Sequence, residues 1–401
     1  MKQLLMAVVG LFLLQDVSSA QTSDLPSTPA ELNRWYVEPP TNQNAATFIL
    51  EGISKLYFTN SYWRVIPLPG QPLPTAMSTE ISNLVYRNRS ALPHFQKGVK
   101  YEQCRYPVDF NDDEQGQTSK MPHLQGIMLA TEVWAAHSRW LAGENRAAEA
   151  GEMVIMNLGL ARSMELEPDL GSQVRRGHCI IETIESFELV VNRSALPPAV
   201  LEQLITILDP MEKRQAEGIG FTRGLIGWRA LLPESTPDLK ERRFADEGYE
   251  QLLTAWEEPF PKRVKAVKEV ALAWERIARE NRLTNYIFTA EFLNRDVETD
   301  AHCLASLRFA QTAVALERYR ATHHNLYPQF LSDLTPAYLA RVPDDPFDGK
   351  PLRYRKAGKG YILYSIGPDL KDDHGARKER LGLNRKGDLV FTIVKPPNVQ
   401  Q

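Results

Sequence analysis

From Phe48 to Tyr319 the apolar residues of this chain recur at helical spacing, and only from Leu352 onward do they alternate. A period near 3.6 places an apolar stripe on one side of a helix, and a period of two places it on one face of a strand. The chain is therefore expected to be mainly α, an array of helical hairpins followed by a small α+β unit. The first helix is read over Asn44 to Phe58, from Phe48, Ile49, Ile53, Leu56 and Tyr57, and a weaker one over Met77 to Tyr86. Pro67, Pro69, Pro72 and Pro74 interrupt regular structure between them, because proline fixes φ and lacks an N–H. Residues 88–121 read as irregular.

Leu124, Ile127, Met128, Val133 and Trp134 mark a long helix ending near Gly143, with Glu144-Asn145 as the turn and Ala147 to Met164 as the returning helix. A second pair follows, Ser172 to Val191 and then a helix opened by Pro197 or Pro198 and running toward Glu217, where a missing proline N–H costs nothing. Gly218, Gly220, Gly224 and Gly227 are read as loosening the chain before Trp228. Further helices are expected over 249–256, 262–279 and 284–293. The last runs from about Thr299 to Thr322, with Asp296, Glu298 and Asp300 as an acidic N-terminal signal. Leu352 to Arg355, Tyr361 to Ile366 and Leu389 to Val394 read as three strands, the first two joined by Ala357-Gly358-Lys359-Gly360. The long helix can then cover one face of a three-stranded antiparallel sheet.

The N-terminus assigns a compartment. Lys2 precedes an apolar run, Leu4 to Leu14, and Val17-Ser18-Ser19-Ala20 supplies small residues at a cleavage site. This is the pattern of a secretory signal, with cleavage expected after Ala20. The run falls short of the ~20 residues that cross a bilayer, and a soluble mature chain, periplasmic or secreted, is expected. The expected organisation is a signal peptide over 1–20, an extended leader over 21–43, a helical domain over 44–298 and an α+β domain over 299–401.

A chain of 401 residues exceeds one ordinary core. Its net charge of -3 comes from interspersed acids and bases, which excludes the clustered basic face of a nucleic-acid binder. The three cysteines, Cys104, Cys179 and Cys303, are too few and too scattered for a disulfide framework. One bridge plus a free thiol and three small buried hydrophobes are both open readings.

The C-terminal motifs occur in a telling order. Ala315-Leu316-Glu317-Arg318-Tyr319-Arg320 precedes Asn325-Leu326-Tyr327-Pro328. Leu334, Pro343-Asp344-Asp345-Pro346-Phe347-Asp348-Gly349-Lys350-Pro351 and Tyr354 follow, and Tyr361-Ile362-Leu363-Tyr364-Ser365-Ile366-Gly367-Pro368-Asp369 closes the segment. This order resembles the globular head of the major pseudopilin of type II secretion systems. The motifs have a fold role by their own chemistry: Asp345-Pro346 starts a turn, Asp348-Gly349 tolerates positive φ, and Tyr327-Pro328 ends a helical run. The chain departs from the family at its start, where Gly10 is followed by Leu11 and Gln15 stands where the family has an acid. It also departs in placing the head after nearly three hundred other residues, so a filament subunit is not expected. The whole chain resembles a class of exported proteins of planctomycete-type bacteria that carry such a head, a likeness that implies no activity.

The resemblance implies a calcium site in the loop after the Ser-x-Gly-x-Asp strand. By position Asp369 and Asp388 match the family's acids, with Asp372 and Asp373 between them. Calcium requires six to eight oxygen donors, which carboxylates and carbonyls of one loop supply. Against it, Ala376 to Arg380 inserts basic residues and Gly387 stands where the family has a second acid. The alternative is a solvated acidic turn in which Asp369 bonds its own backbone.

No catalytic or cofactor-binding residue is assigned. The sequence has no Gly-x-Ser-x-Gly, Walker loop, Gly-x-Gly-x-x-Gly, His-Glu-x-x-His or Cys-x-x-Cys. His178-Cys179, His302-Cys303 and His323-His324 are adjacent pairs rather than i, i+4 pairs on one helix face. Glu182, Glu185 and Glu188 read as a solvated face or an acidic groove, and Trp134, Trp140, Trp228, Trp256 and Trp274 as core or an aromatic cleft. The expected function is an exported, non-catalytic binding or scaffolding protein whose partner is an envelope or secretion-apparatus protein. The rival is an exported hydrolase-type enzyme with its site in the helical domain.

Overall fold

The computed structural model describes residues 25–58, 69–112, 121–231, 239–280, 290–377 and 387–394. The signal peptide read over 1–20 lies outside them. Twelve α-helices are present among the described residues: α1 (Pro29–Trp35), α2 (Ala45–Ser54), α3 (Thr75–Asn88), α4 (Leu92–Gly98), α5 (Pro122–Gly143), α6 (Ala147–Ser163), α7 (Leu170–Val191), α8 (Pro198–Glu217), α9 (Ile219–Ala230), α10 (Leu239–Glu257), α11 (Lys262–Glu280) and α12 (Ala290–Thr322). Strands β1 (Arg353–Ala357), β2 (Gly360–Ser365) and β3 (Leu389–Ile393) form an antiparallel sheet in the order β1-β2-β3. The fold is mainly α, with helical hairpins followed by a long helix and a three-stranded antiparallel sheet.

The first hairpin, α5–α6, closes where the spacing placed it. Asn145 takes the left-handed conformation (φ 60°) and the Arg146 N–H reaches the Leu141 carbonyl at 2.9 Å, so the carbonyls at the end of α5 are satisfied. Pro198 opens α8, and Gly218 (φ 75°) closes it and starts α9 in the same residue. The α5, α6 and α7 helices pack on one another, and α12 packs on α7, α8 and α11.

Several expectations are corrected. The leader over 21–43 contains α1, capped by Thr28 and by Glu31, whose carboxylate accepts from the Ser27 N–H (2.8 Å) and hydroxyl (2.9 Å). Thr28, whose hydroxyl accepts from the Glu31 N–H at 3.3 Å, is a threonine N-cap with proline at the first helical position, a signal present in the sequence. Within 88–121, α4 forms and buries Phe95 against Trp134, ring centroids 6.0 Å apart. The glycines after Gly218 do not loosen the chain. They line the face of α9 that lies closest to its neighbours, and a Cβ on Gly227 would sit 1.8 Å from the Pro168 carbonyl, one on Gly220 2.4 Å from Gln173 Oε1. The helix expected from Thr299 is already formed at Ala290, so the 298/299 boundary lies inside α12. Asp296 and Asp300 do not cap it: both are buried, and Asp300 accepts from Arg263 (3.1 Å) and the Trp256 indole (3.2 Å). Asp300 answers tertiary partners rather than the helix dipole, and Asp296 lies 3.8 Å from its chain neighbour Arg295.

One hydrophobic core runs from Leu32 through α2–α8 and α12 to Ile393. A smaller core gathers Phe221, Leu225, Tyr249, Trp256, Trp274 and Val297. No helix among the described residues is long and apolar enough to cross a membrane.

Candidate functional site

The Asp-Pro turn and the end of β2 are tied together by one carboxylate. Fully buried Asp345 accepts from the N–H of Phe347 (3.0 Å), the N–H of Ile366 (3.0 Å), the Ser365 hydroxyl (2.8 Å) and the Arg353 guanidinium (2.6 Å). Burial pushes its pKa up while these donors oppose the rise. Ser365 Oγ in turn accepts from the Gly367 N–H at 3.1 Å. Gly367 has φ 66°, and a Cβ there would meet the Gly387 carbonyl at 2.2 Å, so the crossing of these two segments requires glycine. The motif residues thus act as the fold devices their chemistry indicated.

The acidic turn begins directly after this crossing. Asp369 Oδ1 accepts from the Lys371 N–H (3.2 Å) and Asp372 Oδ1 from the His374 N–H (2.8 Å), each two residues on. Asp388 is buried at the foot of β3 and its two oxygens accept from the N–H groups of Asp373 (3.2 Å) and Gly375 (2.7 Å). Burial raises the Asp388 pKa, the two N–H donors lower it, and Asp372 and Asp373 add to the rise. Asp388 therefore staples the turn to the last strand. Among the described residues no three His, Cys, Asp or Glu side chains form a metal-holding group. Residues 378–386, which complete the loop, lie outside the described part. Arg377, from the inserted basic stretch, turns away from the acids toward Glu188 and the Val390 carbonyl (2.9 Å).

That contact belongs to the junction between sheet and helices. Antiparallel pairing places the backbone groups of Leu389, Phe391 and Ile393 toward β2, so those of Val390, Thr392 and Val394 face outward. The α7 helix meets this edge with Glu188 and Asn192, one turn apart. The Thr392 N–H donates to Glu188 Oε1 (2.5 Å), Asn192 donates to the Thr392 carbonyl (2.8 Å), and the Val394 N–H donates to Asn192 Oδ1 (2.9 Å). Two helix side chains thus stand in for a fourth strand, and Phe187 packs against Phe391 with centroids 6.0 Å apart. The Glu182, Glu185 and Glu188 series is neither a solvated face nor a groove: Glu188 seals the sheet, Glu182 pairs with Arg139 at 3.2 Å, and Glu185 is half-buried.

A second polar cluster lies inside the helices. Arg176 is paired with Glu165 (2.9 Å) and bonded to Gln215 (2.8 Å), and Gln215 bonds Asp300, which pairs with Arg263. Beside it, His123 Nε2 sits 2.8 and 3.1 Å from the two Glu167 oxygens, and the Tyr106 ring stacks on the imidazole at 4.1 Å. Tyr106 also shares a 2.7 Å hydrogen bond with Ser163. Sequence reasoning missed this cluster because its members lie far apart in the chain. A histidine, a carboxylate and the nearby Cys104 thiol are the components of nucleophilic catalysis. Burial, however, pushes the Cys104 thiol up to about 12, so it stays protonated, and His123 is only 3% exposed. All three cysteines are free thiols. The tryptophans are core rather than cleft: Trp256 stacks on Phe221 and Trp228 on Tyr249. His323 stacks on Tyr319 at 3.7 Å in an exposed position.

No family model, no curated protein and no solved structure matches this chain.

Proposed function

We propose that this chain is an exported, non-catalytic scaffold of the cell envelope, periplasmic or secreted, that works by binding an envelope or secretion-apparatus protein. The observation that carries the reading is the sealed junction of α7 with β3. A filament subunit presents its long helix to neighbouring copies, whereas here α12 lies among α7, α8 and α11 and one sheet edge is closed by Glu188 and Asn192. A pseudopilin-like unit held in this way is a fixed part of a larger body, suited to docking rather than polymerisation.

Crosslinking of the tagged full chain in native envelopes, read by mass spectrometry, tests this. Repeated recovery of one envelope or secretion component supports the reading, and recovery of none sinks it. N-terminal sequencing of the exported form tests the compartment, with Gln21 expected as the first residue. Removal of residues 299–401 is not a useful control, because it takes away the part of α12 that fills the helical core. Calcium at Asp369, Asp372, Asp373 and Asp388 is part of the same proposal, with carboxylate oxygens as its donors. Melting of the full chain in calcium and in chelator should differ by several degrees, and coincident curves remove calcium.

The enzyme reading has one observation in its favour, the His123–Glu167 pair beside Tyr106 and Cys104. His123→Gln abolishing a hydrolytic activity of the exported protein, with its melting curve unchanged, would favour it over the scaffold.

A further inference from the structure

The two edges of the sheet are treated in opposite ways. Since β2 gives the backbone groups of Tyr361, Leu363 and Ser365 to β3, it gives those of Ile362 and Tyr364 to β1, where their partners are Arg355 and Arg353. The backbone groups of Leu352, Tyr354 and Lys356 therefore face outward. The Leu352 N–H is taken by the Pro343 carbonyl at 2.9 Å, consistent with this phase. Beyond it, the N–H and carbonyl groups of Tyr354 and Lys356 make no hydrogen bond among the described residues.

Three features surround this open stretch. Tyr354 donates its hydroxyl to the Pro328 carbonyl (2.8 Å) and Lys356 its ammonium to the Tyr327 carbonyl (3.3 Å), which fixes the segment 327–328 alongside. The side chains just outside that segment, Leu326 and Phe330, are each 63% exposed. Arg355, Lys356 and Lys359 are exposed and have no acidic partner among the described residues, whereas Arg353 is held by Asp345 and Asp348. No acidic residue occurs from Lys350 to Ile366.

We propose that the β1 edge binds an extended acidic segment of a partner protein, which adds a fourth strand opposite Tyr354 and Lys356. Main-chain hydrogen bonds to the open groups supply the register, as in other strand additions. Acidic side chains answer Arg355, Lys356 and Lys359, and an apolar side chain reaches Leu326 and Phe330. A second copy of this chain is disfavoured as occupant, because antiparallel β1 strands would bring like charges together. The inference names the partner class for the scaffold reading above and rests on that reading.

The test is fluorescence anisotropy of the full chain with a labelled peptide of alternating Glu and Val, and with the same peptide carrying Lys in place of Glu. The acidic peptide should bind, lose affinity on addition of salt, and protect the Tyr354 and Lys356 amides from exchange. The basic peptide should not bind. Lys356→Pro removes an outward N–H and no ladder bond, together with the ammonium contact to the Tyr327 carbonyl, so it should weaken binding at least tenfold while the chain still melts in one cooperative transition. Arg355→Glu with Lys356→Glu should reverse the peptide preference, and serves if the proline variant does not fold. No binding of the acidic peptide, or binding indifferent to both variants, overturns the proposal. The scaffold reading stands or falls separately, on whether the wild-type chain crosslinks to an envelope partner by any surface.

Discussion

Asp296 shows how a single buried carboxyl shapes pH behaviour. It is 5% exposed, Oδ1 has no hydrogen bond, and its ion pair with Arg295 is long at 3.8 Å. Burial raises its pKa from 3.8 to about 7, against the partial relief given by Arg295. The folded state therefore holds this proton more tightly than the unfolded chain. Between about pH 4 and about pH 7 stability falls as pH rises, and above that window a cost on the order of 2–4 kcal/mol is fully present. Asp296→Asn should raise the melting temperature by a few degrees at pH 8 and change it little at pH 4. An equal effect at both pH values would remove ionisation of Asp296 as the cause. This residue looked like a helix N-terminal signal in the sequence, because an acid near a helix start and an acid buried inside a longer helix are written with the same letter. The Asp345 and Ser365 devices were legible, since turn chemistry is local. The His123–Glu167 pair was not, since only the fold brings those residues together.

At the scale of elements, periodicity located α5, α6, α7, α8 and the three strands, because their apolar stripes face a continuous core. It failed for α9, whose glycines at 220, 224 and 227 serve close approach to Pro168 and Gln173 rather than chain freedom. Gly227→Ala should destabilise the fold by about 2 kcal/mol or more, since neither backbone can yield cheaply. Urea denaturation showing less than half of that would mean α9 shifts without strain. The sealing of β3 by α7 makes a second claim at this scale. Glu188→Ala leaves the Thr392 N–H without its acceptor and Arg377 without its carboxylate. A loss of roughly 2–4 kcal/mol is expected, with faster amide exchange at Thr392 and Val394. Unchanged exchange there would show that the edge holds without the helix. Nothing in the sequence pattern revealed this seal, because Glu188 reads as part of a solvated face or an acidic groove and Asn192 as part of the loop that follows the helix.

At the scale of the whole molecule, the sequence pattern divided the chain at 298/299, where the motif-bearing segment starts. The structure joins what that boundary separates: α12 runs through it, and the core that begins at Leu32 ends at Ile393. A unit joined by a shared helix, a shared core and a sealed sheet edge does not melt alone. Differential scanning calorimetry of the full chain tests this union of sheet and helical body most directly. A single endotherm is predicted, with the exchange-protected amides of β2 and α7 lost together and Glu188→Ala lowering that one transition. Two separated endotherms, with β2 and β3 opening in the first while α5–α8 persist to the second, would contradict it.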